Sequence, residues 1–134
     1  MFLDFTEISD SGLQHLSDLP NLRHVSLSGT QVSGAGLQHL KNVPNLNSLY
    51  LARTQVGDDD LEHITGFAHL QTLMLDETRI TDAGLEHLKQ LTGLRAVFVN
   101  RRTTQAGLRD FKQAVPNCDI WVPKKTFGYA RFQS

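Results

Sequence analysis

A 24-residue phrase recurs through nearly the whole chain, and it constrains the fold more than any other feature. It reads LRHVSLSGTQVSGAGLQHLKNVPN from Leu22, LNSLYLARTQVGDDDLEHITGFAH from Leu46 and LQTLMLDETRITDAGLEHLKQLTG from Leu70. A looser copy, LRAVFVNRRTTQAGLRDFKQAVPN, begins at Leu94, and residues 1–21 match the back part of a further copy. A unit this short cannot cover its own apolar side chains, so neighbouring units must stack to bury them.

Each copy changes period partway along. Val25 and Leu27 alternate with His24, Ser26 and Ser28, the period of two that predicts a strand. After Val32 the apolar residues are Leu37, Leu40 and Val43, a helical spacing. Ser9, Ser33 and Thr81 stand at N-cap positions, and Asp10, Asp82 and Asp58–Asp60 suit the positive end of a helix dipole. Pro20-Asn21, Pro44-Asn45 and Pro116-Asn117 are expected to stop the helices and turn the chain. Thr6, Thr30, Thr54 and Thr78 recur just past the strand; a hydroxyl buried there needs a partner, and backbone of the adjacent repeat is the expected one.

The consensus L-x-x-L-x-L-x-x-T-x-V/I, followed by S/T/G-x-x-G/D-L-x-x-L/I, resembles the leucine-rich-repeat family in its bacterial form, with threonine where many members carry asparagine. The resemblance implies an α/β right-handed solenoid of about five repeats, with parallel strands on the concave face and helices on the convex face. Residues 1–117 then form the repeats, the first incomplete, and residues 118–134 a capping strand and tail. The last copy frays: Arg102 takes the threonine position, Gly107-Leu108 arrives one residue early, and an extra residue before Pro116 is expected to restore the register. Cys118, Ile120 and Trp121 begin a final strand. The tail, with Phe127, Tyr129 and Phe132, either folds over that end or stays disordered.

Net charge is only −1, but it is sorted along the chain. Residues 1–93 hold 5 Lys/Arg against 12 Asp/Glu, whereas residues 94–134 hold 8 against 2. The single cysteine, Cys118, supports no internal disulfide framework and falls at a core leucine position, where burial rather than reactivity is expected. No apolar run long enough to span a membrane occurs, and the first residues lack the pattern of a signal peptide. The cytoplasm is the compartment these features favour.

Nothing in the sequence resembles catalytic or cofactor-binding machinery: no phosphate loop, HExxH, nucleophile elbow or paired zinc-ligand motif. Stacking lines up His15, His39, His63 and His87, but neighbouring packed helices sit roughly 8–10 Å apart and zinc needs ligands at about 2 Å. Asp58–Asp60 lack the EF-hand spacing. No enzyme, metal or cofactor is therefore expected. Binding is a different matter. The outward position between the two strand leucines holds Phe2, Ser26, Tyr50, Met74, Phe98 and Val122, a mostly apolar column facing water. Two further columns, Asp4, Ser28, Ala52, Asp76, Asn100 and Phe5, Gly29, Arg53, Glu77, Arg101, would frame it with charge. Phe2, Tyr50, Met74, Phe98, Arg53, Asp76, Glu77 and Arg101 are the expected contacts with a protein partner. Two other readings compete. One is self-assembly through an unpaired Leu3 edge strand or head-to-tail charge contact. The other is nucleic-acid or acidic-partner binding by Arg95, Arg101, Arg102, Arg109, Lys112, Lys124, Lys125 and Arg131, which no recognised nucleic-acid motif accompanies.

Overall fold

One short strand per repeat adds to a single sheet in chain order. The computed structural model describes residues 1–43 and 45–133. Strands β1 (His24–Ser26), β2 (Ser48–Tyr50), β3 (Thr72–Met74), β4 (Ala96–Phe98) and β5 (Asp119–Pro123) pair in parallel, and β6 (Tyr129–Arg131) returns antiparallel to β5. Val25, Leu49, Leu73, Val97 and Ile120 stand in register and point into the core. Residues 1–5 continue the sheet beyond β1: Phe2 bridges Ser26, and the Leu3 N–H donates to the Ser26 carbonyl at 2.8 Å. One apolar cluster runs unbroken from Leu13 to Phe132 between the sheet and the helical side. Cys118 lies within it, and burial pushes its thiol up to about 12.

The extra residue before Pro116 restores the register as far as Cys118, whose N–H donates to the Val115 carbonyl as that of Leu94 does to Leu91. The register is lost again before β5. Asp119, Ile120 and Trp121 pair with Ala96, Val97 and Phe98, so the strand arrives one residue early. At each earlier step a carbonyl at the strand entrance takes two N–H groups, as Gln71 does from Arg95 and Ala96. Arg95 takes only that of Asp119. The missing residue lies between Cys118 and the strand, and it puts Trp121, not Val122, in the column of Tyr50, Met74 and Phe98.

The helical side is wound more tightly than expected. Asp10–Asp18, Gln38–Asn42 and Asp58–Ile64 are 3₁₀ helices, with α-helix confined to α1 (Gly34–Leu37), α2 (Asp82–Leu88) and α3 (Gln105–Ala114). Leu37, Leu40 and Val43, like Leu61, Ile64 and Phe67, fall three residues apart, which suits a three-residue turn. Leu85, Leu88 and Leu91 have the same spacing where α2 is α-helical, so spacing alone does not select the winding. In α3 the extra residue makes the spacing three then four (Leu108, Phe111, Val115), and a ten-residue α-helix follows. The 3₁₀ segment Asp10–Asp18 stops before Pro20, and α3 stops before Pro116. The expected stop at Pro44 lies outside the described residues.

The recurrent acids do more than face a helix dipole. Asp10 accepts the Ser33 N–H at 2.7 Å and its hydroxyl at 2.5 Å; Asp58 accepts the same groups of Thr81 at 2.7 and 2.6 Å; Asp82 accepts the Thr104 N–H at 2.9 Å and its hydroxyl. Ser9 and Ser33 make no side-chain cap, while Thr81 and Thr104 accept from Ala83 and Gly107. Each carboxylate occupies space that a glycine leaves open. A Cβ on Gly36, Gly84 or Gly107 would lie 2.4, 2.6 or 2.3 Å from Oδ1 of Asp10, Asp58 or Asp82. The remaining junction is inverted: Gly34 replaces the acid, Asp60 replaces the glycine, and Gly57 replaces the Ser/Thr. Asp60 Oδ2 accepts the Gly57 N–H at 2.8 Å, and its Oδ1 fills the place of a Gly34 Cβ. Every junction thus holds one carboxylate, supplied from either side.

The threonine column forms within each repeat rather than between repeats. The hydroxyls of Thr30, Thr54 and Thr78 donate to the carbonyls of Leu27, Leu51 and Leu75, three residues back, at 2.6, 2.7 and 2.6 Å. Reaching across would need a longer side chain, which Asn100 supplies. It is buried, not surface-framing, and donates to the Thr78 carbonyl at 3.1 Å and its hydroxyl at 3.3 Å.

Two outcomes follow for stability. Thr54→Val should lower the unfolding free energy by about 1 kcal/mol, measured by urea midpoint, because a buried carbonyl loses its donor. Thr6→Val, which removes the same bond at an exposed site, should be close to neutral. Gly34→Asp should destabilise by roughly 1–3 kcal/mol by placing two carboxylates in one junction. Adding Gly57→Ser and Asp60→Gly should recover that loss; a neutral single variant would refute the one-carboxylate rule.

Candidate protein-binding face

Four residues end each regular strand by turning over a left-handed residue. Phe5, Gly29, Arg53 and Glu77 have φ of 55°, 70°, 58° and 55°. Phe5, Gly29 and Arg53 each add one more ladder bond before the threonine closes the turn; the Arg53 N–H, for example, donates to the Asp76 carbonyl at 2.9 Å. Only Gly29 takes this conformation without steric cost. The other three hold it against that cost, and their side chains stand exposed along one rim. The Phe5 ring lies over Gly29, where a Cβ would come within 2.4 Å of it.

The eight residues expected to contact a partner all lie on the strand side, in unequal settings. Phe2 is 80% exposed, while Tyr50 and Met74 are half-buried neighbours in register. Ser26, in the same column, is buried, its hydroxyl on Asp4. Asp4 also accepts the Ser28 N–H at 3.0 Å, which fixes its carboxylate on the face. Phe98 is flanked on two sides: the Trp121 ring stacks beside it at 6.0 Å, and Tyr129 meets it edge-on at 5.0 Å. Arg53 and Glu77 pair across the rim, Nε to Oε2 at 2.9 Å, and Arg101 Nη2 donates to the Lys124 carbonyl at 2.5 Å.

Trp121 and Tyr129 were not among the expected contacts. Trp121 was hidden by the missing residue, and Tyr129 by an antiparallel return that no repeat-based register can place. The tail is an ordered hairpin: Phe132 is buried, Gly128 turns the tip at φ 83°, and Phe127 beside it is 87% exposed. The Tyr129 hydroxyl donates to Asp76 Oδ2 at 2.6 Å, fastening the hairpin to the face.

Two clefts open on this side. One, of about 450 Å³, lies over Phe2, Asp4, Tyr50, Met74, Asp76 and Tyr129. The other, of about 550 Å³, lies between Glu77, Arg101, Arg102, Lys124, Phe127 and Tyr129. Among the described residues no three His, Cys, Asp or Glu side chains gather closely enough to hold a metal ion, and no helix is long and apolar enough to cross a membrane.

A protein-family model described as a leucine-rich repeat matches residues 18–41, one repeat's length. No curated protein sequence matches the chain. Among solved structures it is similar to a leucine-rich-repeat protein of Leptospira interrogans, with 20% identity and a TM-score of 0.61 over 80% of this chain and 27% of that one. It is also similar to leiomodin-1 actin-binding site 2, at 13% identity and a TM-score of 0.69, covering 87% and 78% of the two chains. An internalin of Listeria monocytogenes aligns at 14% identity with a TM-score of 0.56, over 93% and 47%. The chain thus spans about a quarter of the length of the Leptospira protein, and identities this low establish the fold alone.

Burial, then the bond to Asp76, pushes the Tyr129 phenol from 10.0 up to about 12. The neutral phenol is favoured in the fold, so its stabilising contribution declines as pH rises from about 10 to about 12. In Tyr50→Phe, which leaves Tyr129 as the only tyrosine, phenolate absorbance should appear only near pH 12. Asp76→Asn should move that rise to lower pH.

Proposed function

We propose that this leucine-rich-repeat solenoid is a non-catalytic protein-binding module that captures its partner on the strand face. The observation that carries the reading is the register. Tyr50 and Met74 stand side by side on adjacent strands with Phe2 beyond them, half-buried to exposed, and charge rims them. Large apolar groups surrounded by polar ones mark interaction surfaces, and a surface held rigid before binding loses less entropy on association. Rigidity here comes from paired strands, left-handed turns locked by threonine bonds, and a hairpin tied down through Asp76. Phe98 serves by supporting Trp121 and Tyr129, with Arg53, Asp76, Glu77 and Arg101 on the rim. Leucine-rich repeats typically serve as interaction modules, and one structural neighbour is itself named as an actin-binding site, which supports the class without naming a partner.

Affinity capture from a bacterial lysate tests the reading. Tyr50→Ala/Met74→Ala should lose the proteins that the wild type retains, with thermal unfolding little changed. Gln38→Ala/Glu62→Ala, on the helical side, should retain them. Equal capture by all three chains, or none above bare resin by the wild type, would remove the strand-face assignment.

A further inference from the structure

The two clefts are continuous: both are lined by Arg53, Asp76, Glu77 and Tyr129. Their charges are sorted. Toward the first strands the lining holds the carboxylates of Asp4, Asp76 and Glu77 against Arg53 alone. Toward the hairpin, Arg101, Arg102 and Lys124 join Arg53 against the same two shared carboxylates. Arg53 and Glu77 neutralise one another in the middle. The net field therefore changes sign along the groove, negative over Asp4 and Asp76, positive over Arg102 and Lys124. The apolar floor of Tyr50 and Met74 lies between Asp4 and Asp76, with the basic groups beyond Asp76.

Resting on the strand-face reading, we infer that this groove takes one extended peptide segment with basic side chains at one end, apolar ones in the middle and acidic ones at the other. Charge complementarity selects that occupant. A polyanion such as nucleic acid meets the Asp4 and Asp76 carboxylates, and a polycation meets Arg102 and Lys124. The dimensions agree. From residues 1–5 to β5 there are five strand-to-strand steps of about 4.8 Å, roughly 24 Å, which an extended peptide covers in about seven residues. A segment laid across the strands would place apolar side chains over Tyr50 and Met74 while its charged ends reach the two poles.

The test is selection from a phage-displayed library of random heptapeptides on the immobilised chain. The wild type should enrich sequences with acids and bases at opposite ends, whichever way the peptide runs. A peptide so selected should bind Arg102→Glu/Lys124→Glu about tenfold more weakly, since two exposed attractions become repulsions. That variant should itself enrich bases in place of the acids. Neither substituted side chain makes a hydrogen bond or ion pair among the described residues, so unfolding should be unchanged. Enriched sequences that are uniformly acidic or uniformly basic, or that bind the charge-swapped chain undiminished, overturn the inference. The strand-face reading fails separately. Peptides that bind Tyr50→Ala/Met74→Ala as well as the wild type overturn both. Peptides that lose binding there but carry no separated charge overturn only the charge pattern. No enrichment on the wild type overturns both.

Discussion

Each junction between repeats is built around one carboxylate, and the rest of the molecule depends on that arrangement. A repeat cannot bury its leucines alone, so every unit must meet the next at a fixed distance and rotation. Apolar contact is non-directional and sets neither. The carboxylate sets both, by taking an N–H and a hydroxyl of the next repeat in a space a glycine leaves open. Bonds to a charged acceptor are stronger than neutral ones, and two bonds from one group define an orientation. At the inverted junction the carboxylate comes from the other side and accepts the Gly57 N–H of its own repeat, while its second oxygen fills the space over Gly34. Gly34, Gly57 and Asp60 fit one another as a set, since a Cβ on Gly34 would lie on the Asp60 carboxylate.

That fixed stacking separates the side chains that may vary from those that may not. Inward positions, junction acids and turn threonines recur because the geometry of every unit needs them. Outward strand positions carry no such duty, so Ser26, Tyr50, Met74, Phe98 and Trp121 differ while sharing a register. The left-handed turn positions, Phe5, Arg53 and Glu77, are held at conformational cost where glycine would fit. Their side chains on the rim are consistent with a role outside the fold, which underlies the binding proposal.

The C-terminal end solves the edge of the sheet differently from its middle. With one residue lost before β5, the strand supplies Trp121 to the face, and the antiparallel β6 covers its free edge. Tyr129 then reaches back over two strands to Asp76, so the cap also shapes the groove. The closing strand is thus both an end to the stack and a wall of the candidate site.

The repeat alone determined the sheet order, the identity of the inward residues and the neighbourhood of Tyr50, Met74 and Phe98, because equal spacing forces equivalent residues together. It also placed the threonines and acids, though with the wrong partners: a sequence gives position along one unit, not which side of a junction a short side chain reaches. Tertiary structure decided the 3₁₀ winding, the carboxylate exchange between Gly34 and Asp60, the one-residue shift that brings Trp121 into the column, and the return of Tyr129. All four depend on contacts between segments that periodicity treats as identical or does not contain. A repeat makes legible what every unit shares, whereas the junctions and the cap are set by how particular side chains fill space between units.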